Sequence, residues 1–277
     1  MSARTQTAPT ARSALYEAPG PRARRRIAIG TAASAVLLVL LVLLVVRQFY
    51  VTGQLASRYW SFLLEWPTWR FLLQGFVGTV EVALTAGVIA LVLGLLLMLG
   101  RVSGIAPLSA ACRVVTDFFR GVPSLLLIYF FFLVVPQYGV QMPSFWMLTL
   151  PVALAASGVL AEVFRAGVNA VPRGQVEAAL SIGLSPAKTM RRIVLPQAVR
   201  YVIPSLIAQL VVVVKDTTVA YVVSYPDLMQ NARVLITNYD ALLSMYLVVA
   251  VIYVLINFAI NKASVYVARR TGVKIIR

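Results

Sequence analysis

The chain has 277 residues, 60% hydrophobic and only 12% charged, with a mean hydropathy of +0.86. A soluble domain of this size needs far more charge to cover its surface, and several runs reach the ~20 apolar residues that a hydrocarbon core demands. The composition therefore excludes an ordinary soluble domain and predicts an all-α, polytopic membrane protein.

The formal charge of +16 would point to nucleic acid in a soluble protein. In a membrane protein it is explained by basic loops that fix orientation and touch anionic lipid, so lipid is the expected partner and nucleic acid is not. One cysteine, Cys112, and no histidine exclude an internal disulfide, a His-based triad and a zinc site. No cofactor or metal is expected.

Residues 1–26, rich in Ala, Thr, Ser, Pro and Arg, read as a disordered basic arm. Six candidate spans follow: Ile27–Val46, Phe76–Gly100, Pro123–Val135, Phe145–Glu162, Tyr201–Ser224 and Leu242–Ile260. The first is a retained span, because it is long for a signal sequence and no small-residue cleavage site follows it. The third is short and is expected to start earlier, near Val115.

With the N-terminus inside, the inner segments carry twenty Lys and Arg residues and the outer ones four: Arg47, Arg58, Arg70 and Arg233. That asymmetry predicts cytoplasmic N- and C-termini, the latter as a tail over 263–277. Trp60, Trp66, Trp69 and Tyr138 fall on the outer side, as interfacial rings do.

Between the fourth and fifth spans, residues 172–198 form a short basic segment. Glu177 to Ile182 favours helix, and Gly183 sits where a left-handed C-terminal residue belongs. Ser185 can cap a second helix with Pro186 at its first position. Lys188, Arg191 and Arg192 then share one face, Met190, Ile193 and Val194 the other, and Pro196 ends the element. Two uses remain open: an interfacial loop on lipid headgroups, or a docking element for a soluble protein, which would account for the small residues Ala178 and Ala179 and the tight turn.

Charged and polar residues inside spans are functional candidates. Lys215 and Asp216, with Thr217 and Thr218, either satisfy one another and neighbouring spans or line a translocation path. Glu81 is either a path residue or a carboxylate reaching water at a span end. Glu162 with Arg165, and Asp117 with Arg120, read as local ion pairs. Pro123, Pro151 and Pro204 start or kink helices. Asn257 and Asn261 suggest an interhelical polar stripe, and Gly75, Gly78, Gly87 and Gly94 suggest close helix contact.

Glu177-Ala178-Ala179, three residues, Gly183, nine residues, Ile193, one residue, Leu195-Pro196 resembles the EAA loop of permease subunits of bacterial ATP-binding-cassette importers. Asp117–Phe130, Arg165–Ala179 and Val211–Val223 are similar to the polar amino-acid uptake branch of that family. The resemblance spans roughly 71–262, a five-span permease core, with 27–46 an extra N-terminal helix.

It implies a transport subunit, not an enzyme, with an amino-acid substrate, a second permease subunit, an extracytoplasmic solute-binding protein and a cytoplasmic ATPase dimer. The ATPase would be gripped through Glu177, Ala178, Ala179, Gly183, Ile193, Leu195 and Pro196. No GxxxxGK[ST] loop is present, so ATP must bind elsewhere. A glutamate- or glutamine-like substrate is favoured because Lys215 can complement a carboxylate. The alternatives are a stand-alone secondary transporter or channel, which the lack of duplicated halves disfavours, and a membrane enzyme, for which no acid–base constellation exists.

Overall fold

The computed structural model describes residues 20–270, in two compact units divided after Ala56. The first contains one helix, α1 (Pro21–Val51), with Pro21 at the position where a missing N–H costs nothing. Its 31 residues extend about 46 Å at 1.5 Å per residue, more than the ~30 Å hydrocarbon core. The expected disordered arm therefore ends earlier than Arg26: Arg22 to Arg26 are helical. Residues 1–19 of that arm lie outside the described residues.

The second unit is helical throughout its described residues. Two 3-10 turns, Ser57–Tyr59 and Ser61–Leu64, lead into α2 (Trp66–Arg101). Next come α3 (Ala106–Gly121) and α4 (Ser124–Tyr129), which continues through a π turn at Phe130–Val134 and a 3-10 turn to Tyr138. Helix α5 spans Ser144–Ala170, and α6 spans Arg173–Ser181. Helix α7 (Pro186–Thr189) passes through a π turn at Met190–Val194 into α8 (Leu195–Asp216) and a 3-10 tail, Thr217–Val223. Helices α9 (Leu228–Tyr239) and α10 (Leu242–Arg270) complete the unit. The expected tail from 263 is therefore helical to Arg270, and 271–277 lie outside the described residues.

Across the described residues five helices are long and apolar enough to cross a membrane, and six if α3 and α4 form one broken span. The third span does not start straight from Val115, as expected. The α3 and α4 axes meet at 98°. Pro123 has no N–H to continue the α3 ladder, and it forces Val122 into an extended conformation (ψ 125°).

Glycines let the helices approach closely. A Cβ on Gly94 would stand 2.8 Å from the Leu160 Cβ, one on Gly158 3.0 Å from the Arg120 N and Thr116 O, and one on Gly167 2.7 Å from the Ala198 O. So α5 takes α2, α3 and α8 against its backbone. Around it Val82, Ala86, Met98, Leu148, Val152, Leu160 and Val213 form the buried core.

Candidate functional site

The segment from Val171 to Leu195 forms a compact hairpin of two short helices. Gly183 holds φ +83°, the left-handed conformation expected of it, and its N–H bonds the Leu180 carbonyl at 2.9 Å. Leu184 N bonds Ala179 O at 3.1 Å, completing the reversal. Ser185 stands at the N-cap of α7 with Pro186 next. It caps through its backbone carbonyl, which accepts the Thr189 N–H at 2.9 Å, rather than through its hydroxyl.

The apolar side packs inward: Val171, Val194 and Ala198 are buried, with Val168, Val176 and Met190 against them. Lys188, Arg191 and Arg192 are exposed on the other side. Ala179 is buried, whereas Ala178 is exposed beside Glu177. The reason is periodicity: Val176 and Ala179 face the core three residues apart, so Ala178 faces away. Leu180 (45% exposed) and Ile182 (79%) extend an uncovered apolar patch. Among the described residues no ion pair reaches Glu177.

Pro196 does not end this element. The chain runs helically from Pro186 to Val223, and the π turn just before Pro196 accommodates the missing N–H. The Gln197 side-chain amide donates to the Ile193 carbonyl there at 2.9 Å. Of the matched positions, Ile193 lies half-buried in this turn, Leu195 lies half-buried just after it at the start of α8, and Pro196 is exposed.

The intramembrane polar residues separate. Lys215 is exposed, Asp216 is half-buried with the Ser124 hydroxyl beside it, and no ion pair joins the two. Thr217 is buried, its hydroxyl bonded to Val214 O at 2.9 Å and facing Tyr253, so it does not share the exposure of Lys215. The Glu81 carboxylate is held by the Tyr225 hydroxyl, Oη to Oε2 3.4 Å. Asn257 and Asn261 line a groove of about 560 Å³ between α8 and α10, beside Pro204 and Ser264. The Asn257 Oδ1 is buried there without a hydrogen-bond partner, so the stripe does not bond across these two helices.

Two polar constellations were not expected. Asp227, fully buried, caps α9: its Oδ1 accepts the Gln230 N–H at 2.7 Å, and its Oδ2 accepts from the Tyr253 hydroxyl at 3.4 Å. The Thr79 hydroxyl accepts from Leu228 N at 3.1 Å, and Asn231 Nδ2 donates to Phe71 O at 2.8 Å. Gly75 and Gly78 of α2 admit this loop, since a Cβ would meet Asp227 O at 2.7 Å or Pro226 O at 2.5 Å. An aspartate just before an apolar helix is a legible capping signal. The second constellation joins both local ion pairs. Glu162 bonds Arg165 at 2.7 Å and Arg101 at 2.5 Å, and Arg120 lies 3.5 Å from Glu162 and 3.6 Å from Asp117.

Several apolar spans around a close-packed helix, with a compact basic hairpin held between two of them, define a polytopic membrane permease. The chain belongs to the family of binding-protein-dependent transport system inner membrane components, whose model matches residues 90–273. It is thus a multi-pass transport component rather than an enzyme, and the resemblance drawn from the EAA-type spacing holds.

Among its relatives, the glutamate transport system permease protein GluD of Corynebacterium glutamicum is 32% identical over 222 residues, 79% of this chain and 81% of that one. The probable glutamine ABC transporter permease protein GlnP of Bacillus subtilis is 32% identical over 204 residues, 74% and 93% of the two chains. The arginine transport system permease protein ArtQ of the same organism is 30% identical over 167 residues, 60% and 76%. A crystal structure of an amino acid ABC transporter with histidines matches with a TM-score of 0.71 at 27% identity, covering 76% of this chain and 98% of that one. The inward-facing MetNI methionine ABC transporter shares the fold, with a TM-score of 0.63 at 19% identity.

Proposed function

We propose that this chain is the membrane subunit of an ATP-driven importer of polar amino acids, with a glutamate- or glutamine-like substrate favoured. It pairs with a second permease subunit, receives its substrate from an extracytoplasmic binding protein, and is driven by a cytoplasmic ATPase dimer. Both termini and the α5–α8 hairpin lie on the cytoplasmic side, where the positive-inside rule puts their arginines and lysines.

The observation that carries this reading is the hairpin. Its inner side is packed on the chain's own core, while Glu177, Ala178, Leu180 and Ile182 stand uncovered. Leu180 and Ile182 add apolar surface beside Glu177 and Ala178, which suits a partner surface. A short helix offering small and apolar residues fits a groove on a soluble protein. Gly183 lets the helix turn back, and Ile193, Leu195 and Pro196 place the π turn where hairpin and span join. Names of relatives favour amino acids, and the lysine at position 215 favours a carboxylate or amide.

The test is purification of this chain with its ATPase and permease partners, reconstitution in liposomes, and measurement of ATP hydrolysis and uptake with glutamate, glutamine and arginine. Hydrolysis stimulated by glutamate or glutamine with binding protein is expected. Uptake by this chain alone, driven by an ion gradient, would instead establish a secondary transporter.

A further inference from the structure

Glu162 receives arginines from three helices. Arg101 belongs to the last turn of α2, Arg120 to the last turn of α3, and Arg165 to α5 itself. The Glu162 and Arg101 side chains are only 18% and 17% exposed, so water screens their attraction poorly. Two of these arginines also complement the negative ends of the helices that carry them. The Ser109 hydroxyl of α3 adds a bond to Arg101 O at 2.7 Å.

This ionic joint sits on a rigid element. From Glu162, α5 runs unbroken to Ala170, about 12 Å at 1.5 Å per residue. Its last turns are clamped to the hairpin and α8: Val171 and Val168 pack on Val194 and Ala198, and Gly167 lies on the Ala198 carbonyl. On the other side of the joint, Arg120 is followed within three residues by the 98° break at Val122–Pro123. Gly158, one turn before Glu162, puts the α5 backbone directly on Arg120 and Thr116.

We propose that Glu162 is a positioning residue which ties α2 and α3 to α5, so that displacement of the hairpin reaches the α3–α4 break and moves α4. The joint is electrostatic and hydrogen-bonded, so it is directional. The glycine contacts alone fix how near the helices are, but not which of them moves with α5. This role rests on the hairpin being the ATPase contact.

The test uses the complete transporter in liposomes, with glutamate and glutamine as probes. Glu162→Gln keeps the volume and removes the charge. Amino acid carried per ATP is expected to fall about tenfold, within the about 5–150-fold range of typical coupling between sites. Basal hydrolysis should stay near wild type, although Arg101 left without its carboxylate lowers the thermal midpoint. Glu162→Asp should restore coupling in part. Arg120→Gln, at an arginine 44% exposed, should leave the midpoint near wild type. Arg120→Gln, which leaves Arg101 and Arg165 on Glu162, is expected to uncouple in the same way and serves if Glu162→Gln fails to assemble.

Parallel loss of midpoint, hydrolysis and uptake in Arg120→Gln would reduce the joint to ordinary scaffolding, and unchanged transport per ATP would also overturn the proposal. Gly183→Asp is measured alongside. If it uncouples while neither charge variant does, the hairpin reading stands and the joint fails. If it leaves transport intact, the hairpin reading falls and takes the joint with it.

Discussion

The Asp227 carboxylate accepts the backbone N–H of Gln230 at 2.7 Å and thereby caps α9 from a fully buried position. Burial without a cationic partner pushes this carboxyl up to about 6 from 3.8. The Gln230 and Met229 N–H groups and the Tyr253 hydroxyl oppose that rise, and the facing Tyr225 is neutral. A raised folded-state value means that the native protein binds the proton more tightly than the unfolded chain. This contribution is therefore complete below about pH 4 and lost as pH rises to about 6, on the order of 3 kcal/mol. Asp227→Asn keeps the capping acceptor and removes the charge. It is expected to raise the thermal midpoint at pH 7 and to flatten the difference between pH 5 and pH 7 seen for the wild type. Asp227→Ala loses the cap as well as the charge, about 1 kcal/mol, so its midpoint should fall below that of Asp227→Asn at both pH values.

Gly167 has no room for a methyl group, because its Cβ would stand 2.7 Å from both the Ala198 carbonyl oxygen and the Val202 Cγ1. Backbone cannot step aside as a flexible side-chain end can, so Gly167→Ala is expected to destabilise by about 1–3 kcal/mol, as overpacking does. Gly174 is the control: it is helical with nothing within 4 Å, and alanine there should be neutral or mildly stabilising. Thermal midpoints of the two variants in the same detergent decide this, and equal midpoints would remove the packing argument for α5 and α8.

Most of the span order and the hairpin was legible in the sequence because each rests on local chemistry. Runs of apolar residues must be buried or in lipid, and a glycine followed by Ser-Pro marks a helix end and a helix start wherever it occurs. Gly183 and Pro186 took their expected places for that reason. What local chemistry could not show was where helices meet. Glu162 and Arg165 read as a neighbourly pair because they are three apart, yet Arg101, 61 residues away, is the closer partner. Pro196 read as a terminus because a π turn, which depends on surrounding packing, is not written in proline itself. Val115 read as span because hydropathy does not reveal that Pro123 turns the chain through a right angle.

Gly183 has open space around it, so the cost of replacing it comes from the backbone alone. At φ +83° a side chain costs about 1–2 kcal/mol, less for asparagine than for a β-branched residue. Gly183→Asn is therefore expected to retain most coupling, Gly183→Asp less, and Gly183→Val least, with membrane insertion the same in all three. Co-purification of the ATPase with each variant reads this order directly. Equal recovery across the series would mean that the turn geometry does not matter to docking.

Lys215 and Asp216 make different predictions, because the structure separates them. Lys215 is exposed and no ion pair reaches it among the described residues, whereas Asp216 is half-buried beside Ser124. A lysine at bilayer depth costs at least ~2.5–3.5 kcal/mol unless it meets water or a counter-charge, so its exposed side should face the aqueous path. Lys215→Met keeps the length and apolar stem and removes the charge. It is expected to leave abundance and thermal midpoint unchanged and to raise the half-saturating concentration for glutamate about tenfold or more, the effect of losing one charge-assisted bond of about 1.5–3 kcal/mol. Glutamine, which has no side-chain carboxylate, should lose less. Asp216→Asn, by contrast, should show in the thermal midpoint before it shows in substrate preference. If Lys215→Met lowers glutamate and glutamine uptake equally, the lysine does not read the side-chain carboxylate; if it lowers abundance instead, its role is structural.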